Sequence, residues 1–168
     1  KPGFTFASGS CVVTHLNGTT TTFTFASAAG GNVTPVIPGD QKVDCTFTNR
    51  KLTGSVEWQK VDDSGTPQAL AGSEWKIVGP APSTTALAVV DCIGPNQPSD
   101  AACNTDTDQR AGYFKVESLH WGSYQLIETK APAGHYPNPN AFAFTIDAEH
   151  LRVEVGSISN SRIAGPPL

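Results

Sequence analysis

The sequence contains no methionine and few charges, 15% of residues in all, and no apolar run near the roughly 20 residues a membrane-crossing helix needs. Each shortage excludes something. The thin charge, net −4, leaves no basic stripe for a phosphate backbone, so nucleic acid is excluded as a partner. The Lys1 end has no apolar segment able to act as a signal peptide, so any targeting or anchoring signal is expected outside these residues. Lack of methionine suits a compartment where oxidants convert it to the sulfoxide. No Gly-x-Ser-x-Gly elbow is present, so a hydrolase triad has no local support. His15, His120, His135 and His150 lie in unrelated settings without ligand spacing. Asp106-Thr107-Asp108 lacks the later Gly and Glu of a calcium loop. The expectation is no metal and no cofactor.

What is abundant points one way. Sixteen Gly, thirteen Pro and many Thr and Ser, set among short apolar stretches, fit strands joined by turns. At 168 residues the chain has room for one ordinary domain or two small ones. Its texture changes near Asn49 to Gly54, giving a partial or small β module over 1–50, a second domain over 51–162, and an extended linker over 163–168, where paired prolines exclude helix and central strand. In the first module, 3–15, 19–26, 32–37 and 42–48 read as strands, broken at Asn17-Gly18, Gly30-Gly31 and Pro38-Gly39-Asp40. In the second, strands are expected at 54–62, 70–78, 86–92, 112–116, 122–128, 141–147 and 152–160. Seven strands are what a small sandwich contains.

Four cysteines, Cys11, Cys45, Cys92 and Cys103, allow three pairings and form no C-x-x-C pair of zinc-like spacing. The simplest joins neighbours, Cys11 with Cys45 and Cys92 with Cys103, giving each half a staple in an oxidising compartment. Four free thiols in an intracellular protein are the alternative.

Three polar side chains fall in the apolar register of a strand. Lys60 follows Val56 and Trp58 at period two, with Glu57, Gln59 and Val61 on the opposite face. Glu128 follows Tyr124 and Leu126, and Asn160 shares a face with Ile158. Isolated buried charge is strongly disfavoured, so Lys60 and Glu128 should meet. An ordinary buried ion pair satisfies that pattern. A sharper reading is chemical: a desolvated lysine becomes a nucleophilic amine, and its attack on the Asn160 side-chain carbon releases ammonia and leaves an amide cross-link. Glu128, held as the acid by the same low dielectric, is expected to hydrogen-bond the Asn160 carbonyl and pass a proton to the departing ammonia.

The stretch Gly54-Ser55-Val56-Glu57-Trp58-Gln59-Lys60-Val61-Asp62, then Leu70-Ala71-Gly72-Ser73-Glu74-Trp75, the box Tyr124-Gln125-Leu126-Ile127-Glu128-Thr129-Lys130-Ala131-Pro132-Ala133-Gly134-His135-Tyr136 and the closing Ile158-Ser159-Asn160 resemble the CnaB-type domains of Gram-positive pilins and collagen-binding adhesins. The resemblance covers about two thirds of the chain. It implies an all-β, transthyretin-like (prealbumin-like, Ig-like) β-sandwich in which Lys60 is the bonding lysine, Asn160 its partner and Glu128 the catalytic carboxylate of an intramolecular isopeptide bond. Residues 1–50 look like the later strands of a related repeat of actinobacterial surface proteins, without the opening lysine strand that Asn49 would need as a partner.

The implied role is a structural or adhesive module at the wall or in a pilus of a Gram-positive, actinobacterial cell. It is not an enzyme, beyond one autocatalytic turnover per chain. Implied partners are other pilus or surface-protein subunits, and sortase through a C-terminal signal outside these residues. The alternative role is a host-binding adhesin whose Cys92 to Cys103 loop or first fifty residues contact matrix protein or glycan. The fragment itself is expected to be monomeric.

Overall fold

The computed structural model describes residues 2–26, 42–94, 103 and 105–164. Of the sequence expectations, the strand at 32–37, most of the loop between Cys92 and Cys103, and the tail from 165 onward lie outside them. The chain divides into two compact units, Lys1–Leu52 and Thr53–Leu168.

The described residues of the first unit form a three-stranded antiparallel sheet of β1 (Phe4–Thr14), β2 (Thr20–Ala26) and β3 (Lys42–Lys51), in the order β2-β1-β3. The turn between β1 and β2 is closed by Asn17, whose Oδ1 accepts from the N–H and hydroxyl of Thr19. Cys11 lies opposite Cys45 in the β1–β3 register and the two form a disulfide. Among the described residues of this unit only Cys11 and Val13 are buried apolar side chains, so little hydrophobic burial holds the sheet. The bridge spans 34 residues, and a loop of that length is worth about 3–4 kcal/mol by the chain-entropy account. Reduction is therefore expected to make this unit the first site of limited proteolysis, cutting inside 1–52 while 53–164 stays intact on a gel. Equal resistance with and without reductant would count against that role.

The described residues of the second unit form seven strands in two sheets: β4 (Thr53–Asp62), β5 (Glu74–Val78), β6 (Ala86–Val90), β7 (Tyr113–His120), β8 (Gly122–Lys130), β9 (Ala141–Ile146) and β10 (Arg152–Asn160). One sheet has the order β10-β4-β7 and the other β6-β5-β8-β9. The first sheet contributes Val56, Trp58, Phe114, Val116, Leu119 and Ile158 to the core; the second contributes Trp75, Ile77, Val89, Tyr124, Leu126, Phe144 and Ile146. Trp58 stacks on Phe114 and meets Trp75 edge-on, ring centroids 4.9 and 5.7 Å apart. These tryptophans are core aromatics, as their alternation implies.

The first and last strands of this unit, β4 and β10, lie side by side and parallel. Their pairing has a bulge: Glu154 faces Glu57 and Gly156 faces Trp58, so Val155 is an extra residue. Gly156 sits at φ +90, a conformation that favours glycine. Before the bulge Val153 and Val155 pack toward the core; after it Ile158 and Asn160 do. The bulge thus switches the inward positions from odd to even.

Candidate functional site

Lys60 lies near the end of β4, the middle strand of its sheet, and is fully buried. Its N–H donates to Gly112 O (2.7 Å) and its carbonyl accepts from Leu70 N (2.9 Å). Gly112 is at φ +73, and a Cβ there would lie 2.7 Å from Leu70 O, so no other residue fits. Asp91 holds this crossing, accepting from Gly112 N and Gly72 N. Sequence alternation does not reveal that clamp, because Asp91 acts through backbone groups distant in the chain.

One expectation for β4 changes. Val61, assigned to the opposite face, is also buried, as is Asp62. The chain beyond β4 folds back over this end: Val61 bridges to Ala69, and Asp62 Oδ1 accepts from Ser64 N, Ser64 Oγ and Gln68 N. Those donors, Gln68 foremost, hold the Asp62 carboxyl below its ordinary range. Asp62 is paired in register with Asn160, yet its hydrogen bonds commit it elsewhere.

Lys60, Glu128 and Asn160, from β4, β8 and β10, meet in one buried place. Lys60 Nζ donates to Asn160 Oδ1 at 2.6 Å and to Ile158 O at 2.8 Å. Asn160 Nδ2 donates to both oxygens of Glu128 at 2.9 Å. Glu128 Oε1 is 3.7 Å from Lys60 Nζ, with both side chains fully buried. The carboxylate therefore faces the amide nitrogen of Asn160, and the carbonyl oxygen faces the lysine. This corrects the expectation that Glu128 bonds the carbonyl: two ionised or polar neighbours compete for one amide, and the ammonium takes the acceptor while the carboxylate takes the donor.

Burial lowers the Lys60 pKa, favouring the neutral amine, while the charge and hydrogen bonding of Glu128 oppose the shift. The ammonium also lies 5.9 Å from the Trp75 ring centroid, whose indole N–H is taken up by the buried Ser73 hydroxyl at 2.9 Å. The arrangement holds an amine, a carboxamide and a carboxyl in contact and away from water. Chemically it is equipped for one amide exchange.

The remaining candidates do not join this cluster. Cys11 and Cys45 are bridged in the other unit, but Cys92 and Cys103 are free thiols, so the second expected disulfide is absent. Burial, then the neighbouring Cys103, Asp106 and Asp91, push the Cys92 thiol up to about 12. Its S–H donates to Val90 O. Among the described residues no group of three or more His, Cys, Asp or Glu is placed to hold a metal ion.

Asp106 accepts from the backbone N–H groups of Cys92, Asp108 and Lys115. It is an internal brace, and burial raises its pKa to about 6. Its raised folded pKa means the native state holds this proton more tightly than the unfolded chain. The resulting stability is complete below about pH 4 and is lost as pH rises through about 6, by at most about 3 kcal/mol. Denaturant unfolding at pH 4.5 and 7 is expected to show greater stability at the lower pH, and Asp106→Asn to flatten that slope. An unchanged slope in the variant would assign the pH dependence elsewhere.

No curated protein matches the sequence. Solved structures do match the fold. A variant of the major pilin subunit of Bacillus cereus superposes with TM-score 0.54 at 15% identity, covering 95% of this chain and 39% of that one. The same pilin without the substitution gives TM-score 0.51 at 18% identity, covering 73% of this chain and 34% of its own. The minor pilin GBS52 of Streptococcus agalactiae gives 0.51 at 18% identity, covering 98% of this chain and 86% of its own. The chain thus spans well under half of the Bacillus pilin. The family model described as SpaA, prealbumin-like fold domain, matches residues 54–160, which run from the second residue of β4 to the last residue of β10 and include Lys60, Glu128 and Asn160. The chain belongs to this family of prealbumin-like domains.

Proposed function

We propose that this chain is a load-bearing module of a Gram-positive surface fibre, locked by an isopeptide bond that Lys60 and Asn160 form with Glu128 as proton carrier. The observation that carries the reading is the buried contact of the three side chains, Nζ to Oδ1 at 2.6 Å and Nδ2 to the carboxylate at 2.9 Å. Likeness to pilins in fold supports the setting. Linkage to other subunits by sortase, and a wall or pilus location, follow from that setting.

The chemistry balances without any cofactor. A proton passes from the Lys60 ammonium to Glu128, leaving a neutral amine. Nζ attacks Asn160 Cγ, and the carbonyl electrons move onto Oδ1. Glu128 delivers its proton to Nδ2 and takes the surplus proton from Nζ as the Cγ–Nδ2 bond breaks. The products are a secondary amide, ammonia and a protonated carboxyl. The observed facing of Nδ2 toward Glu128 suits this delivery. Excluded water prevents hydrolysis from competing with aminolysis.

The mechanical consequence comes from topology. β4 and β10 are parallel neighbours, so tension entering at one and leaving at the other would shear or unzip hydrogen bonds. A covalent link between them carries that load. The direct test is peptide mapping: digestion of reduced protein is expected to yield a branched peptide joining the segments around Lys60 and Asn160. Two separate linear peptides with intact Lys60 and Asn160 side chains would overturn the proposal.

A further inference from the structure

The connection between β8 and β9 straps the cluster from outside. Tyr136 N donates to Ser161 O at 2.9 Å and Ile163 N to Gly134 O at 2.9 Å. Asn138 Nδ2 donates to Ser159 O at 3.2 Å. The carbonyls on either side of Asn160 are therefore both gripped by this connection. Asn138 also donates its backbone N–H to Glu128 Oε2 at 2.6 Å, and its own Oδ1 accepts from Asn140 N at 3.0 Å.

The geometry points to Asn138 as a positioning residue for the cross-linking reaction, an inference that rests on the function proposed above. It holds the acid and the amide against each other through a single residue, binding Glu128 with its main chain and β10 with its side chain. The sequence explains why that task falls here. Pro137 and Pro139 flank it and carry no N–H, so Asn138 is the one main-chain donor of the triplet. Pro139 also restricts Asn138 to extended backbone, which limits the directions its N–H can take. Both oxygens accept from Asn160 Nδ2 at 2.9 Å, but Oε2 also carries the 2.6 Å bond from Asn138, so Oε1, 3.7 Å from Nζ, is the less engaged oxygen and the one placed to exchange protons with Lys60. Asn138 thus divides the carboxyl into an anchored oxygen and a working one.

The test follows bond formation in the full chain made by cell-free translation, chased at set pH values and quenched into denaturant for intact mass. Asn138→Ala keeps the N–H and loses both side-chain bonds; its rate of ammonia loss is expected to fall about tenfold, and its pH–rate profile to keep its position. Asn138→Pro removes the N–H, a hydrogen bond to a charged group; its rate is expected to fall about a hundredfold, with a displaced pH profile. In an Asn160→Ala background, which cannot link and keeps Lys60 beside Glu128, neither change should alter the melting temperature by more than a few degrees, separating positioning from support of the fold.

Wild-type rate and profile in a folded Asn138→Pro chain would overturn the assignment while leaving the isopeptide reading intact. If that variant does not fold, an unchanged rate in Asn138→Ala overturns it equally. Absence of ammonia loss in the wild-type chain would remove the reading on which it rests.

Discussion

Glu128→Ala protein, purified and reduced, is expected to show the full mass of its sequence although Lys60 and Asn160 are both present. The reasoning is kinetic. Glu128 is the carboxylate that reaches the amine and the amide together, at 3.7 and 2.9 Å, and the neighbouring Asp62 is committed to Ser64, Gln68 and Arg162. Removing a positioned general acid and base slows a reaction by roughly 10²–10⁴-fold. Without it, no carboxyl is in reach to relay the lysine's proton to the amide nitrogen Nδ2 in a site that excludes water. Glu128→Gln, which preserves shape, is expected to behave the same way. Loss of one ammonia in both variants would reduce Glu128 to a structural neighbour of a lysine that burial alone activates.

The second large effect is on stability. Lys60 and Asn160 are 100 residues apart, and closing a loop of that length constrains the unfolded chain by about 4.7 kcal/mol on the model used for disulfides. For a unit of this size the loss corresponds to a fall in melting temperature on the order of 20 °C. Asn160→Ala is the cleaner variant, because Lys60→Ala also leaves a cavity in the core and an unpaired buried carboxylate. Both are expected to melt earlier and to be cut by protease within 53–164 at temperatures where the wild type is resistant. A melting point within a few degrees of wild type for Asn160→Ala would mean that the contact is held by hydrogen bonds alone.

Much of this was legible in the sequence wherever a side chain's own strand sets its direction. Lys60 and Glu128 follow Val56–Trp58 and Tyr124–Leu126 at period two, and each set is buried on the inner face of its own sheet. Asn160 was legible from Ile158 alone. The alternation of Val153 and Val155 runs in the opposite phase, and only the bulge at Gly156 reconciles the two. The chain turning back over the end of β4 hid Val61 and Asp62, since burial by a following turn leaves no periodic trace. Asp91, Asp106 and Asn138 were missed for one shared reason. Each joins a backbone group to a side chain brought near by tertiary folding, Asp91 and Asp106 as acceptors and Asn138 as a donor, and no side-chain pattern encodes such pairs. The cysteines divided similarly: Cys11 and Cys45 lie opposite each other in a ladder, whereas a short sequence separation alone did not join Cys92 to Cys103.

The likeness to the Bacillus and Streptococcus pilins is one of fold, at 15–18% identity. It cannot by itself carry the cross-link, which stands on three side chains. The most direct measurement is the intact mass of the wild-type chain under reducing conditions, where disulfides no longer contribute. A mass lower than the sequence by one ammonia is the predicted result. The full sequence mass would contradict the account, leaving Lys60, Glu128 and Asn160 as a buried hydrogen-bonded ion pair.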